Sequence, residues 1–204
     1  MRDPGGSTLS GLLRARGAFD DPTAAYYAAC AVLALERVRQ RGGVYGSLDP
    51  EHLLLDHMGR GRLADSALPT ENPGYMAPEI VMGGRATVAS DHWALGVLVF
   101  ELLVGAPPFE ARSEDPHNTF RRIVSGRFYL PPHVLEKAAD LMHRLLVVDP
   151  AQRLGSGIEG AGEIRRHEWF ADLDWPALEA GELLPPDRST IAWFDNDAYF
   201  TTPN

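Results

Sequence analysis

The side chains able to do chemistry in this sequence are one thiol, seven imidazoles and a set of carboxylates in contrasting settings. Cys30 is the only cysteine, and it sits in an apolar helical pattern with nothing nearby to lower its pKa. It reads as a buried structural thiol rather than a nucleophile. His52, His57, His92, His117, His133, His143 and His167 are dispersed. No H-x-x-x-H or H-x-x-E-H spacing brings two of them to one helical face. The G-x-S-x-G of a nucleophile elbow is also absent. Two carboxylates interrupt the most apolar stretch of the chain, Ser90–Val104. Asp91 in its first turn is favoured by the helix dipole, whereas Glu101 near its end needs a partner if buried.

That stretch is apolar on almost every helical face, so it predicts a helix buried all round, with the other helices wrapped about it. Gly105 stops it and Pro107-Pro108 forbid continuation. Upstream, Leu9 to Leu13 form a short amphipathic piece in a Gly-rich segment, and Asp21-Pro22 predict a helix start. That helix is expected to run to about Arg41, ended by Gly42-Gly43. Leu53-Leu54-Leu55 and Gly61–Ala64 read as a small hairpin turning near Gly59. A Pro/Thr/Asn/Gly loop over 66–74 leads to Ala77-Pro78-Glu79. Residues 117–125 predict a short helix, and Val134, Ala138, Leu141, Leu145 and Val148 an amphipathic one ended by Asp149-Pro150. Ile164 to Phe170 form the last predicted helix. From Asp172 the composition turns to Pro, acid and aromatics, as in a tail lying in surface grooves.

At 204 residues the chain can bury one core, and one domain plus a tail is expected. Its net charge of −9 offers no basic stripe for phosphates, which excludes nucleic acid and suits basic partners. The apolar run is too short to span a membrane. The N-terminus has no apolar signal-peptide core, and a single cysteine fits a reducing compartment, so a cytoplasmic location is expected.

The order of these pieces resembles the C-terminal lobe of a eukaryotic protein kinase, nearest to the cyclic-nucleotide-dependent kinases of the AGC group. The residues that carry it include Pro4-Gly-Gly6, Tyr27-Ala-Ala29, Leu53-Leu-Leu-Asp56, Ala77-Pro-Glu79 and Asp91-His-Trp-Ala-Leu-Gly-Val-Leu98. Gly105-Ala-Pro-Pro-Phe109, Ile123-Val-Ser-Gly126, Asp149-Pro-Ala-Gln-Arg-Leu-Gly155 and Arg166-His-Glu-Trp-Phe170 continue it. Phe194-Asp195 with Tyr199-Phe200 resembles that group's tail, which reaches back over the nucleotide cleft. The resemblance implies a mainly α fold with a small β-hairpin. It places a kinase-like C-lobe over 1–170, starting at the hinge without an N-lobe, and an AGC-type tail over 171–204. It also implies a buried Glu79–Arg153 ion pair and an Asp91 that holds the backbone of the catalytic loop.

The same resemblance shows the chemistry degraded. Phosphoryl transfer needs a Gly-rich loop and a lysine over the phosphates, two metal-holding groups and a base. The loop and lysine belong to the N-terminal lobe, and neither a G-x-G-x-x-G loop nor a V-A-I-K run is expected in this sequence. The catalytic loop, H-R-D-L-x-x-x-N in the family, corresponds to Tyr45-Gly-Ser-Leu-Asp-Pro-Glu-His52. Gly46 replaces the arginine, and Ser47 replaces the base aspartate, a loss typically of about 10²–10⁴-fold. Asp49 replaces the lysine facing the transferred phosphate. His52 replaces the asparagine ligand of the second magnesium, a hard cation that imidazole suits poorly. Asp65 keeps the D-F-G acid and is the residue left for a magnesium, with a turn acid as its plain alternative. Only 11 residues separate it from Ala77, with Thr70 the one threonine among them.

Glu51 and Glu101 match the positions that grip a substrate arginine in basophilic relatives, or else pair with the chain's own arginines. The expected function is a catalytically impaired scaffold or regulatory module with no intact catalytic residue. Its expected partner is a protein, whether a basic peptide, a regulatory subunit or a separate kinase N-lobe. ATP and magnesium are the cofactors to test. The alternative is a fragment of an active AGC-type Ser/Thr kinase that transfers phosphate from ATP to basic proteins.

Overall fold

The structure, a computed structural model, describes residues 7–64, 72–110 and 116–187. In chain order they form β1 (Ser7–Thr8), α1 (Leu9–Arg16), α2 (Asp21–Gln40), β2 (Leu53–Leu55) and β3 (Gly61–Leu63). After these come α3 (Pro78–Val81), α4 (Val88–Val104), α5 (Pro116–Ser125), α6 (Glu136–Leu145), α7 (Ala161–Arg165) and α8 (Trp175–Ala180). Short 3₁₀ turns lie at Pro73–Tyr75 and Glu168–Phe170. The sequence elements at Pro4-Gly-Gly6, Asp65, Thr70 and the 193–200 aromatics lie outside the described residues.

The central helix is α4, packed between α2 and α6. Trp93, Leu95, Val97, Leu98, Val99 and Leu102 are fully buried on it, each contributing about 1.5–3 kcal/mol of gross transfer free energy. It begins earlier than the apolar run suggests. Thr87 Oγ1 accepts from Ser90 N, and Ser90 Oγ accepts from Thr87 N at 2.7 Å. This reciprocal capping box satisfies two helix-end donors at once. Gly96 is where α6 comes closest: a Cβ there would stand 2.9 Å from Leu145 Cβ and from Leu146 Cδ2. Trp93 stacks on Phe109 with centroids 5.2 Å apart, and the Arg153 guanidinium lies over its ring.

Several boundaries differ from the sequence expectation. The hairpin carries a third strand, because Ser7 and Thr8 pair antiparallel with Leu55 and Leu54. Asp20, not Asp21, caps α2, its Oδ1 accepting from Thr23 N at 3.1 Å. Helix α6 stops at Leu145 because the Val147 and Val148 carbonyls turn to accept from Arg153. The expected 164–170 helix breaks at His167, whose ring caps the next turn by accepting from Trp169 N. Within the expected tail, Asp174 caps α8, Pro176 lies in its first turn and Gly181 ends it. Trp175 packs beneath the Arg165 guanidinium at 4.6 Å. Among the described residues, no helix is long and apolar enough to cross a membrane.

Candidate functional site

The loop Tyr45–His52 connects α2 to β2 and is anchored from the start of α4. Asp91 Oδ2 accepts from Tyr45 N at 2.9 Å and Oδ1 from Gly46 N at 2.7 Å. Burial raises the Asp91 pKa, and these two backbone donors oppose the shift. Gly46 adopts φ +74°. A side-chain-bearing residue would be strained in that backbone by about 1–2 kcal/mol. Ser47 and Leu48 follow, both buried.

Asp49 is buried as well, and it turns back onto its own loop. Its Oδ1 accepts from Glu51 N at 2.9 Å, from His52 N at 3.1 Å and from His52 Nδ1 at 2.8 Å. The two residues that the resemblance set at the family's lysine and metal-binding asparagine positions thus bind one another. Tyr45 meets the His52 ring edge-on at 6.4 Å.

Both expected arginine-gripping carboxylates have partners inside the chain, and they are different ones. Glu51 accepts from Ser10 Oγ at 2.8 Å, from Thr8 Oγ1 at 3.3 Å and from Arg14 Nη2. Glu101 accepts from the Tyr75 hydroxyl at 2.6 Å. Burial raises the Glu101 pKa and the Tyr75 bond lowers it, while the Glu110 and Asp49 carboxylates raise it further. Tyr75 is buried, and its hydroxyl is raised well above the ordinary tyrosine value by burial and by Glu101. Arg14 and Tyr75 went unassigned in the sequence. Ser10 and Arg14 lie one helical turn apart on α1, which was the one local signal for the Glu51 cluster.

Glu79 and Arg153 meet as a bidentate pair, Nη1 to Oε1 at 2.8 Å and Nη2 to Oε2 at 3.0 Å. Arg153 also donates to the carbonyls of Ala89 at 2.6 Å and Val147 at 3.0 Å. The pair therefore ties α3 to the start of α4 and to the end of α6. Cys30 is buried and its thiol is pushed up to about 12 by burial, as a structural thiol should be. Gly155-Ser-Gly-Ile-Glu-Gly160 spells G-x-G-x-x-G, but no strand leads into it. Gly155 is pressed on the His92 ring and Gly160 on the Arg39 guanidinium, so these glycines serve packing.

Protein kinases as a class use ATP with magnesium. At the position where the resemblance expects an oxygen ligand of the second magnesium, the loop has His52, and its ring is tied to Asp49. That donor set does not fit the second magnesium. Among the described residues, no three His, Cys, Asp or Glu side chains are grouped to hold a metal ion.

The architecture is that of a protein kinase lobe, and the sequence comparisons agree. The profile of the family described as protein kinase domain matches residues 4–170, and the chain belongs to that family. It is 35% identical over 98% of its length to the human cAMP-dependent protein kinase catalytic subunit PRKX, covering 58% of that protein. It is 37% identical over 94% of its length to the cGMP-dependent protein kinase egl-4 of Caenorhabditis elegans, covering 27% of it. It is 35% identical over 96% of its length to isozyme 1 of the Drosophila melanogaster cGMP-dependent protein kinase, also covering 27%. The chain thus spans little more than half of the first relative and about a quarter of the other two.

Proposed function

We propose that this chain is a catalytically impaired member of the protein kinase family that acts by binding rather than by phosphoryl transfer. The observation that carries the reading is the Asp49–His52 hydrogen bond, made by the residues that stand where the family has its phosphate-facing lysine and metal-ligating asparagine. Ser47, at the base position, cannot accept a proton near neutral pH. Asp91 and the Glu79–Arg153 pair meanwhile keep the frame of a kinase lobe. Such a loop is held in shape without its reactive groups. Its natural use is to present surfaces to a partner protein, in a reducing cytoplasmic setting.

The family relationship supports a second reading, a fragment of an AGC-type Ser/Thr kinase that uses ATP and acts on basic proteins. Under that reading Glu51 and Glu101 would release Arg14 and Tyr75 to bind a substrate arginine. Turnover separates the two, and a thermal melt of the native full-length protein with and without ATP and magnesium shows whether the impaired member still binds nucleotide. Ligand at 100 times its dissociation constant adds about 2.7 kcal/mol. We expect a cooperative melt that does not move. A clear upward shift that requires magnesium would mean that Asp65 still works and that the protein is a nucleotide-sensing pseudokinase rather than a pure scaffold.

A further inference from the structure

A cavity opens between α2, β3 and the segment from α8 to Leu183, with Tyr45 at the start of the catalytic loop and Ala64 also in its lining. It is a groove of about 630 Å³, too large for a single side chain. Its floor is apolar, made by Leu33 on α2, Leu63 on β3 and Leu178 on α8, and Val44 stands 40% exposed at its edge. Its charge is opposite to that of the molecule. The chain carries −9 overall, yet the groove is lined by Arg37, Arg41, Arg60 and Arg62 against one carboxylate, Glu179. Glu179 is already bound to Arg165 at 2.6 Å, and Arg60 is held by Asp56 and the Gly181 carbonyl. Arg37 and Arg41 are exposed, one helical turn apart, and neither has a carboxylate partner among the described residues.

We infer that this groove is a docking site for an acidic amphipathic helix of another protein. Leu33, Arg37 and Arg41 recur every four residues along one face of α2 and its C-cap. A helix laid alongside, with carboxylates four residues apart, would match both arginines while its apolar stripe covered Leu33, Leu63 and Leu178. Partly desolvated carboxylate–arginine pairs are the strong kind. The charge of the whole molecule selects among anions: a surface at −9 is repelled by nucleic acid and by an acidic membrane, while a short helix meets only the local arginines. Asp49 and His52 are not in the groove's lining, although Tyr45 of the same loop is.

The test is fluorescence anisotropy of a labelled, stapled helix carrying Glu at i and i+4 beside a Leu stripe, titrated with the full chain at low and high salt. Salt-sensitive binding is expected, weakened about tenfold or more by Arg37→Glu with Arg41→Glu. The same loss is expected with Gln in place of both Glu of the helix. The equal charge change made elsewhere, Arg121→Glu with Arg127→Glu, should leave binding unchanged. Arg37→Gln with Arg41→Gln provides a milder pair should the reversal lower the melting temperature. Absence of binding, equal binding of the Gln helix, or equal loss with the control pair would overturn the inference. Capture of phosphatidylserine vesicles that depends on Arg37 and Arg41 would replace it with a membrane contact. Tighter helix binding by a chain ending at residue 187 would instead make residues 188–204 the occupant.

Discussion

Asp49 and His52 form a closed pair, the carboxylate Oδ1 accepting from the ring Nδ1 at 2.8 Å and from the backbone N–H groups of Glu51 and His52. One oxygen thus organises the turn into β2. In the family this stretch handles phosphate and metal. Here Asp49 and His52 bind each other, while Asp91 holds the Tyr45 and Gly46 N–H groups and Thr8, Ser10 and Arg14 hold Glu51.

Removing that oxygen should loosen the loop. Asp49→Ala leaves the Glu51 and His52 donors without their acceptor in a part-buried turn, and should cost about 1–3 kcal/mol. Asp49→Asn keeps an Oδ1 acceptor and should cost less. Urea unfolding of the two variants checks this, and an alanine variant as stable as the parent would show that the pair does not hold the turn.

Arg153 is the most demanding polar group in the core, its side chain fully buried and bonded to Glu79 and three carbonyls. Arg153→Met or Glu79→Gln should each cost about 3–5 kcal/mol, because either leaves an uncompensated buried group. The double variant should cost well under the sum. Strict additivity in denaturant melts would mean that the two side chains act independently.

Acid should weaken the fold through His92. Burial pushes this imidazole down to about 4, with the Arg39 and Arg153 cations adding to the effect. Its ring Nδ1 has no hydrogen-bond partner among the described residues. The group titrates near 6.5 when unfolded, so between 4 and 6.5 the unfolded chain binds the extra proton. Stability from this group therefore rises with pH across that window, by up to about 1.4 kcal/mol per pH unit. The raised carboxylates Asp91 and Glu101 act in the opposite sense. The check is thus the difference between parent and His92→Leu, whose stability should fall less on going from pH 6.5 to pH 4. Parallel pH profiles would contradict it.

Much of this arrangement was legible in the sequence where local chemistry and packing agree. The apolar run around Trp93 and the Gly105 stop fall as read, because a buried helix leaves a one-dimensional trace, whereas the Glu79–Arg153 pair joins residues 74 apart and only the resemblance pointed to it. Helix α8 was hidden by the polar composition around it, although Asp174, Pro176 and Gly181 mark its ends. The third strand, Ser7–Thr8, is too short for a period-2 pattern to register. The partners of Glu51 and Glu101 were out of reach for a different reason. Arg14 lies 37 residues before Glu51 and Tyr75 26 before Glu101, so only the folded chain brings them together. The Asp49–His52 bond spans a single loop, yet the resemblance drew both side chains toward phosphate and metal, while their closer chemistry is with each other.

The measurement that tests the central claim most directly is transfer of labelled γ-phosphate from ATP to an arginine-rich peptide by the native full-length protein, with magnesium supplied. The account predicts no turnover above the buffer rate, and none for the Asp65→Ala variant either. Magnesium-dependent turnover that disappears in Asp65→Ala would contradict it, and would mean that the loop Tyr45–His52 still supports phosphoryl transfer without the family's base.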